Sequence, residues 1–264
     1  MKKRIISAML ITAMAAAMTA GCGTKEEAPA TETAAESGTE EAVKLEDDTD
    51  APESEAAGTE KSGDTFTVGF DQDFPPMGFV GEDGEFTGFD LELAAEVAKR
   101  LDKEIVYQPI AWDAKDMELE SGTIDCIWNG FTMNGREDSY TWSEPYMKNN
   151  QVFVVKADAG ISTKEDLAGK VVDVQTDSSA EAALKEDEEL MNSFGQLVTV
   201  ADYNTAFMDL ESGAVDAIAM DDVVASYQIE QRQVDFVVLD ETLAAEEYGV
   251  GFKLGNEELR DQVQ

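Results

Sequence analysis

Arg136 and Asp221 each follow a copy of one short motif. Met117–Ile127 reads MELESGTIDCI and Met208–Ile218 reads MDLESGAVDAI, with Met, Leu, Glu, Ser, Gly, Asp and Ile at matching places. Each copy has the form of a helix end, a glycine stop and a short buried strand. Thr132 and Arg136 come after the first copy, and Asp221, with Asp222 beside it, after the second. A cation beyond one strand and an anion beyond its counterpart suit a small zwitterion, such as a free α-amino acid, held between two similar halves. The same helix, glycine and strand are also generic in α/β folds, and either aspartate could instead cap the helix that starts near Val223.

Other chemistries are excluded by composition. The chain has no histidine, which removes imidazole acid–base catalysis, Ser-His-Asp triads and histidine metal sites. Its two cysteines, Cys22 and Cys126, have no metal-ligand spacing, and Cys126 lies in an apolar run that predicts a small buried thiol. No metal or cofactor is expected. With 57 acidic against 19 basic residues and a formal charge of −38, the chain is unsuited to nucleic acid or to charge-driven adhesion to an anionic bilayer.

The chain opens with Lys2, Lys3 and Arg4, followed by an alanine-rich apolar run to Ala20 that is short for a membrane span. Ala20-Gly21-Cys22 closes it and resembles a bacterial lipobox, which implies cleavage before Cys22 and lipidation of that cysteine. From Gly23 to Ser62 there are thirteen acidic and three basic residues and no aromatic, too little apolar surface to fold. Residues 1–21 are therefore expected to be a signal peptide and 22–62 a disordered acidic tether.

Two alternating units of strand and helix must position the candidate residues. Thr65–Phe70 alternates as a strand, and Ala94, Val97, Ala98 and Leu101 keep helical spacing, with Asp90 a candidate N-cap. Strands are predicted over Glu104–Gln108 and Thr123–Trp128, with a helix over Ala114–Glu120 between them. The second unit has strands at Gln151–Lys156, Lys170–Gln175, Leu197–Val200, up to Met220, and at Phe236–Leu239. Its helices open near Ser179, end before Glu211 and run through Val224–Ile229. Such alternation predicts mainly parallel sheets covered by helices, with ligands at the carboxyl ends of the strands.

Gly130-Phe131-Thr132-Met133-Asn134-Gly135-Arg136-Glu137, then Trp142-Ser143-Glu144-Pro145-Tyr146, carry a family resemblance. Phe74-Pro75-Pro76, Thr87-Gly88-Phe89-Asp90-Leu91, Asp166-Leu167-x-Gly169-Lys170 and Tyr248-Gly249-Val250-Gly251-Phe252 extend it, in order and spacing, over Thr65–Gln264. This stretch resembles the extracytoplasmic solute-binding proteins of polar amino-acid ABC transporters. Their two-lobed type II periplasmic-binding fold implies a cleft between lobe one, residues 63–145 and 248–264, and lobe two, residues 146–247, with the hinge near Tyr146 to Gln151 and Tyr248. After Phe252 the family adds further helices to lobe one, so the chain is expected to be a fragment lacking them.

The resemblance assigns roles position by position. Arg136 corresponds to the residue that takes the α-carboxylate, with Thr132 and the Gly130–Phe131 backbone adding contacts, although the spacing to Trp142 is one residue shorter than usual. Asp221 corresponds to the α-ammonium ligand. Gln175 to Ser179 correspond to a turn that opens a helix toward the carboxylate, with Ser178 also a candidate N-cap; Asp177 stands where glycine is more usual and adds negative charge nearby. Phe74 and Trp112 correspond to an aromatic pair around the ligand side chain, and Asp71 to a residue at its tip. Glutamine, arginine, lysine, histidine and cystine all remain compatible. The implied protein is a non-enzymatic, lipid-anchored monomer outside the cell, delivering a polar amino acid to a permease. A dehydratase or an amino-acid-sensing adaptor on the same fold are the alternatives.

Overall fold

The computed structural model describes residues 64–264; the expected signal peptide, Cys22 and the acidic tether lie outside the described residues. The chain runs through β1 (Thr65–Phe70), a small antiparallel sheet of β2 (Asp73–Phe74), β3 (Gly78–Val80) and β4 (Phe86–Thr87), then α1 (Phe89–Arg100) and β5 (Glu104–Pro109). Next come α2 (Lys115–Ser121), β6 (Cys126–Ile127), β7 (Thr141–Trp142) and the long β8 (Met147–Lys156). The remaining elements are β9 (Val171–Gln175), α3 (Ser179–Glu186), α4 (Glu188–Ser193), β10 (Gln196–Val200), α5 (Tyr203–Ser212), β11 (Ala217–Asp221), α6 (Asp222–Arg232), β12 (Phe236–Val238), β13 (Ala244–Tyr248), β14 (Gly251–Phe252) and α7 (Glu257–Val263).

Two main sheets result. The first has the order β5-β1-β6-β14-β7, the second β10-β9-β11-β8-β12 with β13 also on β8. The βαβ crossovers give the expected parallel pairs, β5 with β1, β1 with β6, β10 with β9 and β9 with β11. The strands that carry the chain between the sheets and back run the other way. Thus β8 is antiparallel to β11, β12 and β13, and β14 is antiparallel to β6 and β7, so each sheet is mixed rather than mainly parallel.

Alternation along β8 builds both faces of the second sheet. Val152 and Val154 pack with Phe207 of α5 and Val224 of α6, whereas Phe153 and Val155 pack with Ala180 and Leu184 of α3. In the first sheet Phe66, Val68 and Phe70 bury the Leu91, Ala94 and Ala98 stripe of α1. Ile127, Phe131, Tyr140 and Trp142 form the other core there. Both copies of the repeated motif end their helices at a left-handed glycine, Gly122 after α2 and Gly213 after α5.

Two segments join the sheets side by side. The Ser143 N–H donates to the Val250 carbonyl at 3.0 Å, and the Tyr146 N–H to the Tyr248 carbonyl at 2.9 Å. Asp90 does not cap α1, whose N-cap is Gly88. Its buried carboxylate instead accepts the Gly130 N–H at 2.6 Å and the Tyr146 hydroxyl at 2.8 Å, tying the first helix to the Gly130 turn.

Candidate ligand-binding site

Strand carboxyl ends from both sheets converge. Asp71 follows β1, Trp112 follows β5, Gly130 and Thr132 follow β6, Gln175 ends β9 and Asp221 ends β11. Phe74, Trp112, Gly130, Thr132, Arg136, Gln175, Ser178, Ser179 and Asp221 surround one small cavity of about 10 Å³. Of the candidate residues only Asp71 and Phe131 are not on its wall. That volume is about one water molecule. An amino acid can therefore enter only if the two halves part.

The two halves meet directly across this cavity. Thr132 Oγ1 donates to Ser179 Oγ at 3.2 Å, and Gln175 Nε2 donates to Asp71 Oδ2 at 2.7 Å. Farther out, Asn204 Nδ2 donates to Asp73 Oδ1 at 2.7 Å. Gly130 has φ 57, and a Cβ there would meet the Phe74 ring at 2.9 Å and the Tyr248 ring at 3.2 Å. Glycine thus meets both the left-handed backbone and the close approach of the two rings.

Arg136 reaches the cavity from the loop before β7. Its guanidinium lies 5.4 Å from the centre of the Phe131 ring and donates to the Thr132 carbonyl at 3.3 Å and the Asp177 carbonyl at 3.4 Å. It makes none of the ion pairs of the described residues, so Glu137 and Asp138 do not claim its charge. The Phe131 ring is fully buried against Trp112, Tyr140 and Trp142, so the contact expected at this position is one from its backbone. Its carbonyl is taken by the Gly249 N–H at 3.0 Å. Phe131 therefore supports Arg136 from below.

Asp221 stands at the N-cap position of α6 but makes no side-chain cap hydrogen bond. Its Oδ1 accepts from Tyr248 Oη at 2.6 Å, Gln151 Nε2 at 2.9 Å and Asn149 Nδ2 at 3.0 Å. Burial, and next the Glu246 carboxylate, push its carboxyl well above the ordinary range. Asp222 points elsewhere, accepting from Ser226 Oγ at 3.3 Å on the exposed side of α6.

Ser178 does cap α3, its Oγ accepting the Glu181 N–H at 3.1 Å, and Glu181 reaches back to the Asp177 N–H at 2.8 Å. Asp177 takes the left-handed backbone that a glycine would, with φ 58. Its extra charge is met by Lys115, which forms an ion pair with Asp177 across the cleft and lies 5.3 Å from the Trp112 ring centre. Lys115 is 1% exposed.

Asp71 belongs to a larger adjoining cavity of about 450 Å³, which also has Asp73, Asp113, Asp202 and the other side of Trp112 on its wall. Burial, with smaller contributions from Asp73 and Asp202, raises the Asp71 carboxyl to about 6 against the pull of bonds from the Asp73 N–H and Gln175.

Sequence reasoning missed Lys115, Asn149, Gln151 and Glu246. A lysine in the first turn of a helix opposes the helix dipole, which was a signal for Lys115. Asn149 and Gln151 alternate at the start of an otherwise apolar strand, a second signal. Glu246 was hidden among the many acids of the chain.

Residues 66–264 match the model of the bacterial extracellular solute-binding proteins, family 3. The L-cystine-binding protein TcyJ of Escherichia coli (strain K12) is 33% identical over 202 residues, 75% of this chain and 74% of that protein. A probable histidine-binding protein of Neisseria gonorrhoeae is 26% identical over 211 residues, 76% of each chain. Among solved structures, an ABC uptake transporter substrate-binding protein from Streptococcus pneumoniae with bound histidine aligns with TM-score 0.73 and 36% identity, covering 76% of this chain and 84% of that one. An ancestral arginine-binding protein bound to glutamine aligns with TM-score 0.70 and 32% identity, covering 77% and 90%. These matches are to binding proteins rather than enzymes. The chain belongs to the bacterial extracellular solute-binding proteins, family 3.

Proposed function

We propose that the protein captures a free polar α-amino acid outside the cell by closing its two lobes, and presents it to the permease of an ABC transporter. The observation that carries this reading is a single cavity with an ion-pair-free guanidinium, Arg136, from one lobe and a buried carboxylate lacking a cation, Asp221, from the other. A zwitterion supplies both missing charges at once. Arg136, Ser178 and Ser179 take the α-carboxylate, Asp221 and Thr132 the α-ammonium, and Phe74 and Trp112 flank the side chain. Gln175 and Asp71, which bond to each other in the closed form, separate to admit its tip.

Contacts completed only when the lobes meet make ligand binding shift the population toward the closed form. In this reading lobe one is residues 63–145 with 248–264, lobe two is 146–247, and the hinge runs past Tyr146 and Tyr248. The monomer is held to the outer face of the membrane by lipid on Cys22 after removal of residues 1–21, with residues 22–62 as the tether. A thermal-shift screen of the twenty amino acids and cystine, followed by calorimetry, tests the binding. A raised melting temperature with one or a few polar amino acids is expected, and no response to any of them would sink the reading.

A further inference from the structure

Asn149 and Gln151 lie two residues apart on β8, so both side chains leave the same face of the strand. The antiparallel registers set Glu246 of β13 opposite Asn149 and Asp221 of β11 opposite Gln151. Two carboxylates from opposite flanks of β8 therefore close on one row of amides. Asn149 Nδ2 donates to Asp221 Oδ1 at 3.0 Å and to Glu246 Oε1 at 2.6 Å. Gln151 Nε2 donates to the same two oxygens at 2.9 and 2.8 Å, and to Ser179 Oγ at 2.8 Å.

Glu246 is 5% and Asp221 3% exposed, and neither is in any ion pair of the described residues. The hydroxyls of Tyr248, from β13 itself, and Tyr203, from α5, face the pair, with Asp71 and Tyr146 farther out. Beyond Ser179, Glu246 opens onto a cavity of about 320 Å³ whose charged walls are Arg136, Asp177, Glu181, Lys185 and Glu186. Lys185 is paired with Glu181 at 2.7 Å, and Arg136 points to carbonyls. The amides and hydroxyls supply dipoles but no charge. Two buried carboxylates in contact cannot both stay ionised without a cation.

We propose that Glu246 is a second carboxylate of the ammonium site: in the ligand-free protein Asp221 carries a proton beside it, and the ligand α-ammonium takes the place of that proton, which passes to solvent. This rests on the amino-acid reading and adds a residue and a proton to it. The ammonium keeps all three N–H bonds and directs them to Asp221, Glu246 and Thr132, so a ligand without a free α-amine gains nothing from Glu246. Binding is then linked to pH, and affinity falls as the solution is acidified and Asp221 holds its proton more firmly.

Calorimetry on the full chain with L-cystine, L-histidine, L-arginine and L-glutamine, in phosphate and in Tris at pH 7.5, reads the proton directly. For whichever of these binds the unaltered protein, the observed heat should differ between buffers by an amount matching release of up to about one proton. Glu246→Gln, checked for folding by its thermal melt, should show a smaller buffer dependence and lose at least tenfold in affinity, whereas Glu246→Asp should keep the full proton release. The N-acetylated ligand should bind both forms equally weakly. Undiminished affinity or undiminished proton release in Glu246→Gln would overturn the inference while leaving the amino-acid reading intact. An unaltered protein that binds none of the four amino acids would sink both.

Discussion

Arg136 and Asp221 are the two charged side chains on the wall of the small cavity, and neither has a partner of opposite sign among the described residues. The sequence made both legible because each follows a copy of the same motif, and an identical frame makes the differing residue stand out. Replacing Arg136 with Ala removes charged hydrogen bonds worth about 1.5–3 kcal/mol each, so affinity for the amino acid should drop about a hundredfold or more, with the melt of the ligand-free protein little changed. Isothermal titration decides it, and unaltered affinity would take Arg136 out of the site. Asp221→Asn should weaken ligands with a free α-ammonium far more than their N-acetyl analogues; equal loss for both would place Asp221 in a purely structural role. Glu246 was not legible, because in an acid-rich chain one more glutamate carries no signal until pairing of β13 with β8 sets it against Asn149.

At the scale of elements, the turn between β9 and α3 and the start of α2 face each other across the cleft. Lys115 on one meets Asp177 on the other, and this ion pair can exist only while the lobes are together. Asp177 is about half exposed, so its loss of a partner leaves no charge stranded in the interior. Lys115→Ala should accordingly spare folding but destabilise the closed form, giving a roughly three- to tenfold weaker affinity expressed mainly as faster ligand release. Stopped-flow dissociation rates would show it, and an unchanged rate would mean that the pair contributes nothing to closure. Most helices were legible, α1 from its apolar spacing and α2 and α5 from their glycine stops. The strand expected over Thr123–Trp128 shrinks to Cys126–Ile127, since β14 and β1 pair with only those residues regularly. Expected Gln151–Lys156 lengthens to Met147–Lys156 because β13 returns to pair with its polar beginning.

Across the whole molecule, buried acids set the response to pH. Burial raises the Asp90 carboxyl to about 7, against bonds from Gly130 and Tyr146, and raises Asp71 to about 6. Between their unfolded values near 4 and these raised values the folded protein holds protons that the unfolded chain has lost. Stability contributed by them is complete below the lower value and disappears as pH rises through the higher one, at about 1.4 kcal/mol per pKa unit. The melting temperature of the ligand-free protein should therefore rise by several degrees from pH 8 to pH 5, and relief of repulsion at a formal charge of −38 adds in the same direction. Amino-acid affinity should move oppositely, since acid protonates the ammonium site. Calorimetric scans that show stability falling over that range would refute the assignment of Asp90 as a proton-holding buried acid. By itself the sequence determined the α/β architecture and the duplicated frame with Thr132, Arg136 and Asp221 beyond it, because apolar period, glycine stops and strand ends are local properties of the chain, while the other residues of the cavity were named by the family resemblance. Only the tertiary structure decided which charges are left without partners. Lys115 neutralises Asp177 and Glu246 crowds Asp221 across sequence separations that no local pattern encodes, and electrostatics in a buried site depends on those distances.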